Sequence, residues 1–194
     1  MTTEPGVTDG PGQGIHDIPA ERYHEDPAPQ PSLSSSIAGV LLRASPLHAW
    51  AKHPKLGGYQ REESDTFDLG TSAHAMLLEG EDVFEIIDAD DYRTKAAKEA
   101  KAAAYAAGRT PLLAAKVERV RSMCAQVRKQ LARFEDKPQP LVNGKPERTV
   151  IWQEDGIWLR CRPDFLHDNA PVCDDFKSTE RSAKPEAWIR SHLY

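Results

Sequence analysis

The sequence has no apolar segment near the roughly twenty residues that a membrane span requires. Its first residues contain neither the basic start nor the apolar core that a secretory signal requires. Cysteine is also scarce: only Cys124, Cys161 and Cys173 occur, and no two of them form a C-x-x-C pair. We therefore expect a cytoplasmic protein with reduced thiols and without a zinc or iron–sulfur site built on cysteine.

Charge is unevenly distributed along the 194 residues, although the net charge is only −5. Residues 1–31 hold six acidic residues and one basic residue, many Pro and Gly, and few apolar side chains. A segment of this composition cannot offset the entropy lost on ordering, so we predict a disordered acidic tail over 1–31. The remaining residues, 32–194, hold 24 acids and 24 bases and are long enough for one domain with a sizeable core.

A basic segment covers residues 93–133, where eleven Lys or Arg residues accompany only two acids. We predict two helices here, 95–107 and 111–134, with Pro111 in the first turn of the second. Such a segment attracts phosphate even on a protein without net positive charge. The alternative is that these side chains form ordinary solvated helix faces.

Three more helices are predicted in the first half of the domain. A serine cluster at 32–36 can cap a helix over 37–43, and Ser45-Pro46 can start a second short helix. Helical spacing of apolar residues over 69–77 predicts a third helix, which carries His74 beside its apolar stripe.

Short runs rich in β-branched and aromatic residues predict strands, most of them late in the chain. The predicted strands are, in order, 83–87, 147–153, 157–166 and 171–178. Turn signals at Asp155-Gly156 and at 167–170 separate the last three, which predicts an antiparallel meander. A final helix begins at Pro185. This order predicts an α/β or α+β fold, in which helices flank a small central mixed sheet.

Two acids and a lysine stand close together in these last strands. Asp164 lies near the end of one predicted strand and Asp175 lies in the next, so a short turn brings them together. Side chains alternate across a strand, so Asp175 and Lys177 project from the same face. Two neighbouring carboxylates repel each other unless a cation lies between them, and magnesium prefers oxygen ligands. The alternative is a solvent-facing Asp175–Lys177 ion pair of little energetic value.

The run Arg162-Pro163-Asp164, followed by Asp175-Phe176-Lys177, resembles the signature of the PD-(D/E)xK nucleases. The pattern Gly70-x-x-x-His74 resembles a motif of the RecB-type branch. The opening at 32–54 is similar to the start of the RecE-like, exodeoxyribonuclease VIII-type domain of phage genomes. The motifs cover about residues 32–194 in the family's order. The resemblance implies a restriction-endonuclease-like core and a metal-dependent deoxyribonuclease, typically a 5′→3′ exonuclease on double-stranded DNA ends in recombination.

The resemblance also implies roles for single residues. The implied ligands of Mg²⁺ or Mn²⁺ are His74, Asp164, Asp175 and the carbonyl of Phe176. Lys177 would orient or activate the attacking water, so that Asp164, Asp175 and Lys177 are the implied catalytic residues. Two further acids, Glu147 and Glu79, match positions where the family's pattern is less specific.

On the same logic the basic helices become a candidate surface for double-stranded DNA. The candidate contacts are Lys95, Lys98, Lys101, Arg109, Lys116, Arg119, Arg121 and Arg128. A nuclease must hold phosphates without reading bases, which suits such side chains. The resemblance further implies work beside a single-strand annealing recombinase, assembly as a homo-oligomer, and residence in the bacterial host cytoplasm if a phage encodes the chain.

The chain departs from the family pattern at its C-terminal end. Members normally continue into a helix with a Q-x-x-x-Y motif and then into further strands, but no Gln follows Lys177. We therefore expect 32–194 to be a nuclease domain that lacks this helix and these strands. The alternative function is a catalytically impaired nuclease fold that acts as a DNA- or partner-binding module.

Overall fold

The structure is a computed structural model that describes residues 10–59, 69–80, 84–177 and 184–192. These residues fall into two units. The described residues within Met1–Ser64 and Asn143–Asp174 form the first unit. Those within Asp65–Val142 and Asp175–Tyr194 form the second unit. Helices and strands occur in both units, which confirms the mixed α/β class predicted from the sequence. No helix within the described ranges has the length and apolar character needed to cross a membrane.

Helices and strands are interspersed in the first two thirds of the chain, and strands dominate the last third. In order they are β1 (Gly14–His16), α1 (Ala20–His24), β2 (Ser32–Leu33), α2 (Ser35–Arg43), α3 (Pro46–Lys52), α4 (Leu69–Leu78), β3 (Phe84–Ile87), α5 (Lys95–Ala106), β4 (Thr110–Leu113), α6 (Ala114–Leu131), β5 (Gly144–Pro146), β6 (Thr149–Glu154), β7 (Ile157–Cys161), β8 (Phe165–His167), β9 (Cys173–Asp174) and α7 (Pro185–His192).

Serine residues begin the helices α2 and α3, as the sequence predicts. The hydroxyl of Ser34 accepts a hydrogen bond from the amide of Ile37, and the hydroxyl of Ser45 accepts one from the amide of His48, each at 3.4 Å. These bonds satisfy amides that have no partner within their own helix. The two predicted helix starts are therefore confirmed.

The first unit contains a four-stranded sheet in the order β1-β6-β7-β2. Strands β6 and β7 form an antiparallel hairpin around Asp155-Gly156, where φ is +49° and +81°. An Asp-Gly pair suits this turn, because Gly adopts positive φ without a steric penalty and Asp tolerates it. The two outer strands come from the N-terminal part of the chain: β1 is antiparallel to β6, and β2 is parallel to β7.

The prediction of a disordered tail over 1–31 is wrong for residues 10–31, while 1–9 lie outside the described residues. Strand β1 pairs with β6, and Asp26 and Ala28 are 1% and 0% exposed. The carboxylate of Asp26 accepts hydrogen bonds from the amide and the hydroxyl of Ser32, at 2.8 and 2.7 Å. Strand pairing and a buried carboxylate order this segment. Neither feature is visible in the number of apolar residues, on which the prediction of disorder is based.

The predicted meander is divided between two sheets. The strand expected over 157–166 forms two strands, β7 and β8, on either side of a break that contains Pro163. Proline has no N–H to donate to a strand ladder, so a break at this position is physically reasonable. Strand β8 belongs to a second antiparallel sheet, in the order β5-β8-β9. The strand expected over 171–178 is reduced, within the described residues, to Cys173–Asp174.

In the second unit β3 and β4 pair in parallel, and α4 and α6 pack against each other. Residues 110–113 form strand β4 rather than the loop and helix start predicted from Pro111, so α6 begins only at Ala114. Pro111, Leu112 and Leu113 are all buried, and continuous burial is typical of a parallel strand. The core of this unit includes Ala73, Met76, Phe84, Leu112, Val117, Val120 and Cys124.

Candidate metal centre

Glu147 and Asp164 lie side by side in the first unit. Glu147 follows β5, Asp164 precedes β8, and the pairing of these two strands brings the acids together. The amide of Glu147 donates to the carbonyl of Asp164 at 3.1 Å, and carboxylate oxygens of the two residues lie within 4.8 Å of each other. Glu147 has a φ of +54°, in the left-handed region that non-glycine residues rarely adopt. The structure therefore places Glu147 beside the predicted ligand Asp164.

Arg162 contacts this acid pair, and the sequence analysis did not single it out. Its Nε lies 2.6 Å from Oε2 of Glu147, and its Nη1 donates to the carbonyl of Ile18 at 2.6 Å and to Oγ1 of Thr149 at 3.2 Å. Its side chain is only 14% exposed. The guanidinium offsets the repulsion between the two neighbouring carboxylates. A signal was present in the sequence, because two arginines stand only two residues apart in a strand-like run directly before Asp164.

His74 lies within α4 in the second unit and contacts the ring of Phe176. Helix α4 is held against α6 by packing and by a hydrogen bond from Sγ of Cys124 to the carbonyl of Ala73, at 3.5 Å. The ring centroids of His74 and Phe176 are 6.2 Å apart with the planes tilted by 46°. Phe176 also packs against the core of this unit. The imidazole therefore stands at the rim of the core, beside the residue that separates Asp175 from Lys177.

Asp175 and Lys177 form an ion pair with each other. Lys177 Nζ lies 2.6 Å from Oδ1 of Asp175, and the two side chains are 54% and 56% exposed. Phe176 between them is partly buried, so the pair projects to the same side, although β9 ends before it at Asp174. This contact matches the alternative of a solvent-facing ion pair, which by itself is worth between about 0 and 1 kcal/mol.

Glu79 directly follows the last residue of α4. Its amide donates to the carbonyl of Ala75 at 2.8 Å, and its side chain is exposed. The backbone position is that of a residue that ends a helix. Nothing in this backbone contact assigns the carboxylate to a metal site.

The comparisons with known proteins identify the family. A family model described as PDDEXK-like domain of unknown function (DUF3799) matches residues 34–194. The chain belongs to this family. No curated protein and no solved structure matches it. Membership confirms the resemblance to the PD-(D/E)xK superfamily, agrees with a restriction-endonuclease-like fold, and suggests a nuclease-type hydrolase.

The donor chemistry of this PDDEXK-like chain fits a divalent ion. Glu147 and Asp164, side by side in the first unit, offer two carboxylate oxygens as ligand atoms. Hard cations such as Mg²⁺ take oxygen ligands, and Mn²⁺ accepts carboxylate together with imidazole. PD-(D/E)xK nucleases typically use such ions. The set does not discriminate between the two metals.

At least four of the eight basic candidates of the PDDEXK-like domain contact other groups of the second unit. Arg109 forms an ion pair with Glu85 at 2.9 Å, and Arg128 donates to the carbonyl of Met76 at 3.3 Å. The ammonium of Lys101 lies 5.1 Å from the centre of an aromatic ring. Lys95 pairs with Glu99 at 3.8 Å. Lys95, Lys98, Lys116, Arg119 and Arg121 are all exposed on α5 or α6.

Proposed function

We propose that this PDDEXK-like chain is a metal-dependent deoxyribonuclease, and specifically a 5′→3′ exonuclease that acts on double-stranded DNA ends in phage-type recombination. The observation that carries the proposal is the pair of neighbouring acids Glu147 and Asp164 in the first unit of a chain of this family. Neighbouring carboxylates supply the oxygen donors that hard divalent cations take as ligands. The finer assignment to the RecE-like branch depends on the resemblance of the motifs at 32–54 and around His74.

In the site that the family resemblance implies, His74, Asp164 and Asp175 would hold Mg²⁺ or Mn²⁺, with the carbonyl of Phe176, and Glu147 would add a further carboxylate. When bound, such an ion polarises the phosphate and lowers the pKa of the attacking water. Lys177 donates to that water or to the charge that develops on the phosphate. In the structure the ammonium of Lys177 pairs with Asp175, so it lies beside a carboxylate that would bind the metal.

The exposed basic residues of α5 and α6 would hold the DNA backbone in this proposal. Lys98, Lys116 and Arg119 are exposed, and none of these side chains is required to fill a core. Contacts with phosphate carry no sequence information, which suits an enzyme that degrades any duplex end. A single-strand annealing recombinase, a homo-oligomer and a cytoplasmic location remain parts of the proposal that rest on the resemblance.

The experiment that tests the proposed function compares linear and circular duplex DNA with the purified chain. With Mg²⁺ or Mn²⁺ we expect linear duplex labelled at a 3′ end to be shortened progressively from its 5′ ends. Closed circular DNA should persist, and EDTA should stop the reaction. Metal-independent release of nucleotides, or equal attack on the circle, would contradict the proposal.

A non-catalytic DNA-binding module is the second candidate. The observation that favours it is the exposed Asp175–Lys177 pair, in which each side chain neutralises the other. In the same experiment it predicts retention of linear DNA by the protein in a gel, without any shortening in the presence of metal. The two candidates therefore give different results with one set of samples.

A further inference from the structure

We propose that the 18–32 segment and Arg162 position Glu147 for metal binding, so that a part of the chain outside the family-matched residues belongs to the active site. The inference rests on the proposed function, because it takes Glu147 and Asp164 as parts of a metal centre. Arg162 is a positioning residue in this proposal: it acts on the carboxylate of Glu147 and not on the reacting atoms. The 18–32 segment ends before residue 34, where the family match begins.

The guanidinium of Arg162 is fixed through two different nitrogens. Nε binds Oε2 of Glu147, while Nη1 binds the carbonyl of Ile18 and the hydroxyl of Thr149. Thr149 is fully buried, so it is a fixed point of the sheet. An acid on a flexible Glu side chain gains a defined position only if its partner is itself held. The carbonyl of Ile18 and the hydroxyl of Thr149 hold that partner.

Arg160, two residues earlier, ties the other end of the segment to the same sheet. Its Nη1 donates to both the carbonyl and the hydroxyl of Ser32, each at 2.7 Å, and lies 3.3 Å from Oδ1 of Asp26. Its side chain is 4% exposed. The ring of Tyr23 lies 5.5 Å from the guanidinium carbon of Arg160 and 6.0 Å from that of Arg162. One aromatic ring of the segment therefore contacts both arginines.

The segment is also tied to the end of α3. Nε2 of His53 lies 3.0 Å from the carbonyl of Ser32 and 3.2 Å from Oδ2 of Asp26. Nδ1 of the same ring accepts from the amide of Lys55 at 3.1 Å, so Nε2 carries the proton that is donated. Both side chains are buried. The contacts behind Arg162 are therefore made by buried, mutually hydrogen-bonded groups and not by a loosely placed tail.

Groups that orient a metal-binding carboxylate typically change metal affinity by about tenfold to a hundredfold when they are replaced. Arg162→Lys is the informative change, because lysine keeps the positive charge but has one nitrogen where arginine uses two. Tyr23→Ala removes the ring that contacts both arginines and leaves every charge in place. Tyr23→Phe is its matched control, since the ring remains.

The experiment measures Mn²⁺ affinity of the full chain by electron paramagnetic resonance of the free ion, at a temperature where circular dichroism shows each variant folded. We expect Arg162→Lys to weaken Mn²⁺ binding about tenfold and Tyr23→Ala about fivefold, with Tyr23→Phe equal to the parent chain. Asp164→Ala serves as the reference for loss of a ligand and is expected to weaken binding at least as much.

The outcomes separate this inference from the proposed function. If Asp164→Ala binds Mn²⁺ as well as the parent chain, the metal centre itself is wrong. If Asp164→Ala loses binding while Arg162→Lys and Tyr23→Ala retain it, the metal centre stands and the positioning role is wrong. Equal weakening by Tyr23→Phe and Tyr23→Ala would also overturn the inference, because the ring would then not be the cause.

Discussion

Replacing Asp175 by alanine is expected to reduce metal-dependent cleavage of linear duplex DNA by at least about a thousandfold, and Lys177→Ala to reduce it by at least about a hundredfold. Asp175→Ala removes a proposed ligand, so it should lower Mn²⁺ affinity together with turnover. Lys177→Ala removes only the ammonium that we propose acts on the water or the phosphate, so Mn²⁺ binding should persist. Cleavage rates at saturating metal, measured beside Mn²⁺ affinity, distinguish these two losses.

Asp91→Ala is the matched control for this pair. Asp91 and Arg93 form an ion pair at 2.8 Å with the same two-residue spacing, also on the surface of the second unit. Its loss should change neither cleavage nor metal binding. If Asp175→Ala or Lys177→Ala behaves as Asp91→Ala does, the pair is a surface ion pair and its catalytic assignment is wrong.

Asp26→Ala is expected to destabilise the first unit by about 3 to 5 kcal/mol, because it removes one partner of a buried charged network. Oδ1 of Asp26 lies 3.3 Å from Nη1 of Arg160, and Oδ2 lies 3.2 Å from Nε2 of His53. Without the carboxylate, the guanidinium remains buried beside groups that cannot neutralise it. Urea unfolding followed by the fluorescence of Trp152 and Trp158, on β6 and β7, reports the loss.

The pH dependence of this effect has a definite sign. Burial alone would raise the pKa of Asp26, but hydrogen bonds from His53 and Ser32 and the charge of Arg160 outweigh burial and hold the pKa below its ordinary value of 3.8. A carboxyl group with a lowered pKa contributes stability above the unfolded pKa and loses it as the pH falls through the folded pKa. The difference between the parent chain and Asp26→Asn should therefore shrink below about pH 4.

Asp17→Ala is the control for Asp26. Asp17 is exposed and pairs with Lys145 and Arg148 on the surface of the same unit, where solvent screens the charges. We expect little change in the unfolding midpoint. Equal midpoints for Asp26→Ala and Asp17→Ala would show that the buried network does not hold the N-terminal segment.

Local signals in the sequence predict the helices α2 and α3 and the β6–β7 turn well. Ser34 and Ser45 cap helices because their hydroxyls satisfy amides a few residues away, and Asp155-Gly156 makes a turn for equally local reasons. The wrong predictions concern elements that are held in place by residues distant in the sequence. Strand β4 exists because residues 110–113 pair with β3, and the N-terminal segment is ordered by groups more than a hundred residues away, such as Arg160.

In the candidate site, too, local motifs identify some residues, whereas other contacts depend on distant parts of the chain. Asp164 and His74 could be selected from the order of short motifs, and Glu147 from its place at the start of a predicted strand. The pairing of β5 with β8, which brings Glu147 to Asp164, involves residues about twenty apart and leaves no periodic pattern. Arg162 was missed because its role depends on the carbonyl of Ile18, in a segment whose composition indicates disorder.

The central proposal is that the neighbouring acids Glu147 and Asp164 bind a divalent ion, to which the family resemblance adds His74 as a ligand. Pulsed electron paramagnetic resonance of Mn²⁺ bound to the full chain tests it, because an imidazole nitrogen bonded to Mn²⁺ modulates the spin echo. We expect a nitrogen modulation that His74→Gln removes, and Mn²⁺ binding that Asp164→Asn weakens at least tenfold. Bound Mn²⁺ without nitrogen modulation, at an affinity that neither substitution changes, would contradict the proposal.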